Sequence, residues 1–138
     1  MATAAQTLAQ FAADLKFEQI PEDVITRGRD CIIDTIAACT YGAQFPWSRL
    51  VIDYAQRYGA GGPCSIFGVP GVKVHAPYAA LANGALGHAF EQDSVRDPGA
   101  GSHPGATVLP AIARWIAPIT TRSSAFRPLM RVQNWRLT

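Results

Sequence analysis

Along most of the chain, apolar positions recur at three- and four-residue spacing, the period of helices that bury one stripe. Over residues 4–16 the stripe is Leu8, Phe11, Ala12 and Leu15. Ile20-Pro21-Glu22-Asp23 then reads as a helix start, since proline suits a first turn and acids there complement the helix dipole. The helix it opens is expected to reach Tyr41, with Val24, Cys31, Ile32, Thr35, Ile36 and Cys39 inward and Gly42 as its stop. Pro46 opens a third helix with Leu50, Val51, Tyr54, Ala55 and Tyr58 as its stripe, ended by Gly59 to Pro63. Cys64 to Gly68 is short, apolar and bounded by turn residues, so it is expected to be extended. After Pro70-Gly71 comes a helix from His75 to Phe90, in which Ala79, Ala80, Ala82, Gly84, Ala85 and Gly87 permit a close neighbour. A loop with Pro98, Gly99 and Gly101 leads to His103-Pro104, which starts a last helix with Ala106, Leu109, Ala113 and Ile116 inward. Pro110 fits that helix if it lies near the first turn. The fold class expected from this order is all-α, with no internal repeat.

Composition narrows the class. The chain has 138 residues, 49% of them hydrophobic and 16% charged, which is enough apolar material for one domain core and argues against disorder. No run approaches the about 20 apolar residues of a membrane span. The start, Met1 to Gln6, has neither a basic nor a continuous apolar region, so a secretory signal is not supported and a cytoplasmic location is expected. Cys31, Cys39 and Cys64 match no zinc spacing and are too few for a disulfide scaffold; buried, reduced thiols are the plain reading.

Charge is unevenly placed. Through Ala113 there are seven Lys or Arg and ten acids, a balance of 7 − 10 = −3, whereas from Arg114 onward there are five arginines and no acid. Such a tail can bind nucleic acid or a membrane surface. Phe126, Leu129, Met130 and Trp135 follow no helical period there, however, and no nucleic-acid reading motif accompanies them. The reading preferred is a divergent end, truncated or frame-shifted, with neither a nucleic-acid nor a membrane partner.

Candidate chemistry concentrates between Leu81 and Thr107. An apolar helix ends in Glu91 and Asp93, and a loop returns to His103 at the next helix start. Carboxylates and an imidazole at facing helix ends can transfer protons, and free amides at a helix start can hold a substrate carboxylate. By spacing alone the plainer reading stands ahead: a solvated helix end and a histidine bonded to its local backbone. Taken alone, His88 between Gly87 and Ala89 reads as a hydrogen-bonded core histidine and His75 as a surface residue. Neither has a second histidine or cysteine at ligand spacing, so no metal site is expected.

The stretch Ala80-Leu81-Ala82-Asn83-Gly84, His88-Ala89, Glu91 with Asp93, and His103-Pro104-Gly105 resembles the signature of the MmgE/PrpD family. Ala9-Gln10-Phe11-Ala12, Ile20-Pro21, and Asp30 through Asp34-Thr35-Ile36-Ala37 are similar to that family's opening helices, so the likeness covers about residues 7 to 113. The resemblance implies the amino-terminal portion of a helical domain, with the smaller lid domain absent, over residues 4–116, and a divergent basic tail over 117–138. It implies a lyase acting on small di- or tricarboxylates by dehydration, decarboxylation or proton transfer beside a carboxylate, without cofactor or metal, as a homodimer in its full-length form. Asp93, His103 and Glu91 would be catalytic, and His88, Ser94 and Gly105 substrate-binding. The family's acidic run is split by one aromatic; here it is Glu91-Gln92-Asp93-Ser94, which leaves open which carboxylate takes the acidic role. This chain is expected to be inactive alone, and a non-catalytic helical dimerisation or binding module is the alternative.

Overall fold

The computed structural model describes residues 2–96 and 101–110. Its elements are α1 (Ala4–Asp14), a 3-10 turn (Phe17–Gln19), α2 (Glu22–Gly42), α3 (Ser48–Gly59), β1 (Ala60–Ser65), β2 (Lys73–Val74) and α4 (Ala76–Gly87). A helical segment over 104–110 follows, labelled α5. The chain is thus largely helical but not strictly all-α, because β1 and β2 pair antiparallel. The extended segment runs from Ala60 to Ser65, so it overlaps the expected Cys64 to Gly68 only at Cys64 and Ser65. Ala60 and Cys64 both pair with Val74, and the irregularity between them absorbs Gly61, whose φ of 85° an L side chain rarely adopts. Ala113, Ile116 and the basic tail lie outside the described residues.

Local signals fix α1 well. Thr3 Oγ1 accepts from the Gln6 amide at 3.2 Å and Gln6 Oε1 accepts from the Thr3 amide at 2.8 Å, a complete capping box. Yet α1 buries nothing: Leu8 is 68% and Phe11 63% exposed, against the expectation of a buried stripe. Periodicity defines a face; it does not supply the surface that covers it.

In α2, Pro21 stands at the N-cap and Glu22 and Asp23 in the first turn, as read from sequence. Burial is confined to the second half, at Thr35, Ala38, Cys39 and Gly42, while Val24 and Cys31 remain exposed. The inward face of α3 is Ser48, Ile52, Ala55 and Gly59, which shares Ala55 with the expected stripe, and Val51 packs half-buried against the core; Leu50 is 77% exposed, and Tyr54 and Tyr58 face outward too. Small residues win this face because α3 lies close to α4. A Cβ on Gly59 would stand 2.6 Å from Tyr78 Cγ, closer than packed atoms tolerate.

The centre of the fold is α4, apolar all round and contacted by both α2 and α3. Ala79, Ala82, Leu86 and Gly87 are buried with Cys39, Ile52, Ala55, Ile66 and Val74 in one core. Gly42 does not end α2 through a left-handed residue; it is the contact point of the two helices, and a Cβ there would collide with the Leu86 carbonyl. Asn83 is buried, with its Oδ1, Nδ2 and carbonyl all bonded. Its Oδ1 accepts from the Phe67 amide at 2.8 Å, its Nδ2 donates to the Ser65 carbonyl at 3.1 Å, and its own carbonyl accepts the Cys39 thiol at 3.1 Å. The motif asparagine therefore ties the end of β1 to α4.

In α5, Ala106 and Leu109 are buried as expected. Pro110 is the seventh residue of the segment, not in its first turn, so it has no N–H to offer the Ala106 carbonyl. That carbonyl points towards Gly84, where a Cβ would stand 3.0 Å away.

Candidate active site

Two devices bring the candidate residues together. First, α4 stops at Gly87, His88 caps it, and Trp47 Nε1 donates to the Ala89 carbonyl at 3.0 Å. Glu91 then takes a left-handed φ of 56°, turning the chain back so that Asp93 points inward. That conformation is uncommon for a non-glycine residue. Second, the Arg96 amide donates to the Ser102 carbonyl at 2.9 Å, closing the loop as an isolated antiparallel bridge and returning His103 to the same spot.

Asp93 occupies the centre. Its side chain is 0% exposed, and its Oδ1 lies 3.1 Å from His88 Nδ1 and 3.3 Å from His103 Nδ1. The two imidazoles meet edge to face with centroids 4.4 Å apart. Glu91 Oε1 reaches His88 Nε2 at 3.0 Å but is itself 72% exposed. The bond from His88 to Asp93 raises the His88 pKa above its ordinary value of 6.5; partial desolvation opposes this, and the charges of Glu91 and Asp93 add to it. Although His103 Nδ1 is within ion-pair distance of Asp93, the ring is turned so that no hydrogen bond forms. His103 Nδ1 and Asp93 Oδ2 are both buried without a hydrogen-bond partner among the described residues.

Ser94 and Gly105 form a second pair. The Gly105 amide donates to Ser94 Oγ at 3.2 Å, so this helix-start amide is already engaged rather than free for a substrate carboxylate. Gly105 also has a packing role. A Cβ there would stand 2.6 Å from Thr35 Oγ1 and 2.9 Å from Ser94 Oγ, so glycine lets α5 start against α2. Thr35, buried and donating to the Cys31 carbonyl at 2.9 Å, was legible only as part of an apolar face.

His88 keeps its predicted hydrogen bonding but not its predicted burial, its side chain being 42% exposed. His75 is exposed, as expected. The cysteines are free, but only Cys39 is buried, with Cys31 exposed and Cys64 intermediate. Burial first, then the charge of Asp93, pushes the Cys39 thiol up to about 11 against a small opposing effect of its backbone hydrogen bond, which leaves it a poor nucleophile. His88 and His103 are distant in sequence, yet with Asp93 they present ligand atoms all within 4.8 Å of one another.

The arrangement is a buried carboxylate between two imidazoles, one open to solvent. It places His103 Nδ1 beside the Asp93 carboxylate and leaves the far nitrogen of that ring for proton transfer. No described helix is long and apolar enough to cross a membrane.

The family model for the MmgE/PrpD N-terminal domain matches residues 6–118. A cis-aconitate decarboxylase of Aspergillus terreus is 32% identical over 105 residues, covering 76% of this chain and 21% of that protein. The human cis-aconitate decarboxylase is 28% identical over 115 residues, covering 83% and 23%. A cis-aconitate decarboxylase-like protein of Aspergillus oryzae is 31% identical over 106 residues, covering 76% and 21%. The chain spans about a fifth of the length of these relatives.

Proposed function

The chain belongs to the MmgE/PrpD family, and from that premise we propose that it carries part of the acid–base site of a lyase for small di- or tricarboxylates. The observation that carries the proposal is the approach of one buried Asp93 oxygen to the Nδ1 atoms of both His88 and His103. In this reading His103 moves the proton beside the substrate carboxylate through its outer nitrogen, and Asp93, 3.3 Å from Nδ1, positions the ring. Of the two carboxylates whose roles the sequence leaves open, Asp93 takes the buried one and is the main influence on His88, to which Glu91 adds its charge from the solvent side. Ser94 and Gly105, bonded to each other, would flank this cluster as its substrate-binding pair. Because relatives are named for decarboxylating cis-aconitate, a tricarboxylate of that kind is the first substrate to test. The chemistry proposed is proton transfer alone, without cofactor.

A di- or tricarboxylate also needs cationic groups to balance its charge, and among the described residues the site offers only its imidazoles. We therefore expect no turnover from these 138 residues alone, and activity only where residues 4–116 sit within a protein of the relatives' length. Residues 117–138 we read as a divergent tail outside the domain, and the working protein as a cytoplasmic homodimer. The alternative, a helical dimerisation module, draws on the exposed Leu8, Phe11, Leu50 and Tyr58.

The test is a chimera in which residues 4–110 replace the matching part of the Aspergillus terreus relative. His103→Ala and Asp93→Asn should each lower decarboxylation of cis-aconitate at least ~10²-fold, the scale of positioned acid–base groups, while His75→Ala changes little. Near-normal turnover with His103→Ala removes the assigned role, and robust turnover by the 138-residue chain alone removes the expectation of inactivity.

A further inference from the structure

We propose that Trp47 is a positioning residue of the acid–base cluster: by holding the turn after α4 in its left-handed form, it sets where Asp93 meets His88. Its consequence for turnover rests on the proton-transfer reading, whereas its geometry does not. Residues 88–93 leave α4 and double back, and Glu91, at a φ of 56°, carries the reversal. A non-glycine residue held there is strained, and such strain persists only where the surroundings over-determine it. Here those surroundings are the junction of α2 and α3.

Trp47 Nε1 donates to the Ala89 carbonyl at 3.0 Å, across 42 residues of chain. Among the described residues no other hydrogen bond ties residues 89–92 to an element outside α4. The backbone bonds of that stretch are local and long, from the Ala89 amide to the Leu86 carbonyl at 3.3 Å and from the Glu91 amide to the His88 carbonyl at 3.5 Å. Trp47 is itself held. Its ring stacks on Phe45 with centroids 4.7 Å apart and 13° between the planes, and Phe45 lies 5.6 Å from Phe90. Tyr41 closes edge to face on both, 5.4 Å from Phe45 and 4.9 Å from Phe90. Rings at such separations attract one another beyond the area they bury. Phe90 lies in sequence between Ala89 and Glu91, so these rings grip the turn by its side chain while Trp47 grips it by its backbone. Trp47 is 56% exposed and outside the buried core, so changing it tests the brace without emptying the core.

The chemistry depends on this brace because residue 93 lies just beyond the strained one. A turn released into an ordinary conformation carries the carboxylate away from its 3.1 Å contact with His88 Nδ1 and its 3.3 Å approach to His103 Nδ1. The titratable groups facing His88 are Asp93 and Glu91 on the turn and His103 on α5, and Cys39 of α2 is close enough to Asp93 to feel its charge. The bond to Asp93 is the main reason that the His88 pKa is raised, so the titration of His88 reports whether Asp93 is in place.

The experiment is an NMR titration of the histidine ring resonances in the 138-residue chain, with urea unfolding of each variant alongside. In Trp47→Phe, which keeps a ring to stack and loses the donor, the His88 midpoint should move back towards 6.5 while the fold survives. In a Glu91→Gly background the turn no longer needs holding, because glycine adopts the left-handed conformation without strain. Adding Trp47→Phe there should shift the midpoint far less. Phe45→Leu, which keeps the donor and removes the stack, should shift it in the same direction by a smaller amount, and Tyr58→Phe, outside the brace, should leave it unchanged. A folded Trp47→Phe protein with the parent's midpoint overturns the proposal, and so does a shift of equal size in both backgrounds. Should Trp47→Phe not fold, a parental midpoint in Phe45→Leu overturns it instead. In the chimera the positioning role should appear as a kcat lowered ~10-fold with KM nearly unchanged. A chimera indifferent to His103→Ala removes the acid–base reading and leaves the histidine titration to decide the brace.

Discussion

Helices α1 and α4 invert the usual relation between pattern and burial. The pattern of α1 is cleanly amphipathic and a capping box closes its start, yet Leu8 and Phe11 stand in solvent. By contrast, α4 has almost no amphipathic preference and lacks a side-chain cap at His75, yet it supplies Ala79, Ala82 and Leu86 to the core. The difference lies in what can approach. Around α4, glycine and alanine let neighbouring segments come close, as at Gly42 against the Leu86 carbonyl and at Gly87, where a Cβ would stand 3.2 Å from Cys39 Sγ. A helix in such a position is defined by its neighbours rather than by its own stripe.

The comparison breaks most easily at its centre. Leu86 is fully buried, and Leu86→Ala is expected to cost about 2–5 kcal/mol through lost burial and a residual cavity. Gly42→Val should cost about 1–3 kcal/mol by overpacking, or more because the obstacle is backbone. Urea unfolding measures both, and a Gly42→Val protein as stable as its parent would disprove the close helix contact.

A smaller effect should appear at the loop between α4 and α5. The folded-state pKa of His88 is raised, so its protonation stabilises the fold at pH values below the unfolded value near 6.5. That contribution is lost as pH rises through the higher folded value, so stability should decline over a window beginning near neutrality. Because His88 is half exposed, the amplitude is expected to be modest. In Asp93→Asn, which removes the principal cause of the shift, this part of the pH profile should flatten. An unchanged slope would show that the bond to Asp93 does not set it.

The smallest effect belongs to α1. Phe11→Ser should alter the stability of the 138-residue chain by no more than ~0.5 kcal/mol, as for other exposed positions. A loss several times larger would mean that α1 is covered in solution, bringing it level with α4.

Much of this was legible in the chain, for reasons that can be located. Pro21, Glu22 and Asp23 marked the start of α2 because helix starts follow from local backbone donors and the dipole. The small-residue run of α4 announced close packing, and His103 was correctly set at a helix start. The inward face of α3 was read only in part: Ala55 is buried and Val51 half-buried as the stripe implied, but Leu50, Tyr54 and Tyr58 cannot fit beside α4, where Ser48, Ile52 and Gly59 turn inward instead. The partnership of Thr35 with Gly105 had no sequence signal beyond helical period, because they belong to segments far apart in the chain.

By itself the sequence determined where helices start, which stretches are apolar, and that two carboxylates and two histidines flank one loop. Those properties depend on neighbours within a turn or two of the chain. Only the tertiary structure decided which stripes are covered, that Asp93 rather than Glu91 is enclosed, and that His88 and His103 share a single oxygen. Each of these depends on the left-handed turn at Glu91, the bridge from Arg96 to Ser102, and the glycine contacts that bring α2, α4 and α5 together. Burial and charge pairing are properties of approach in space, and a one-dimensional pattern does not contain the distances on which they depend.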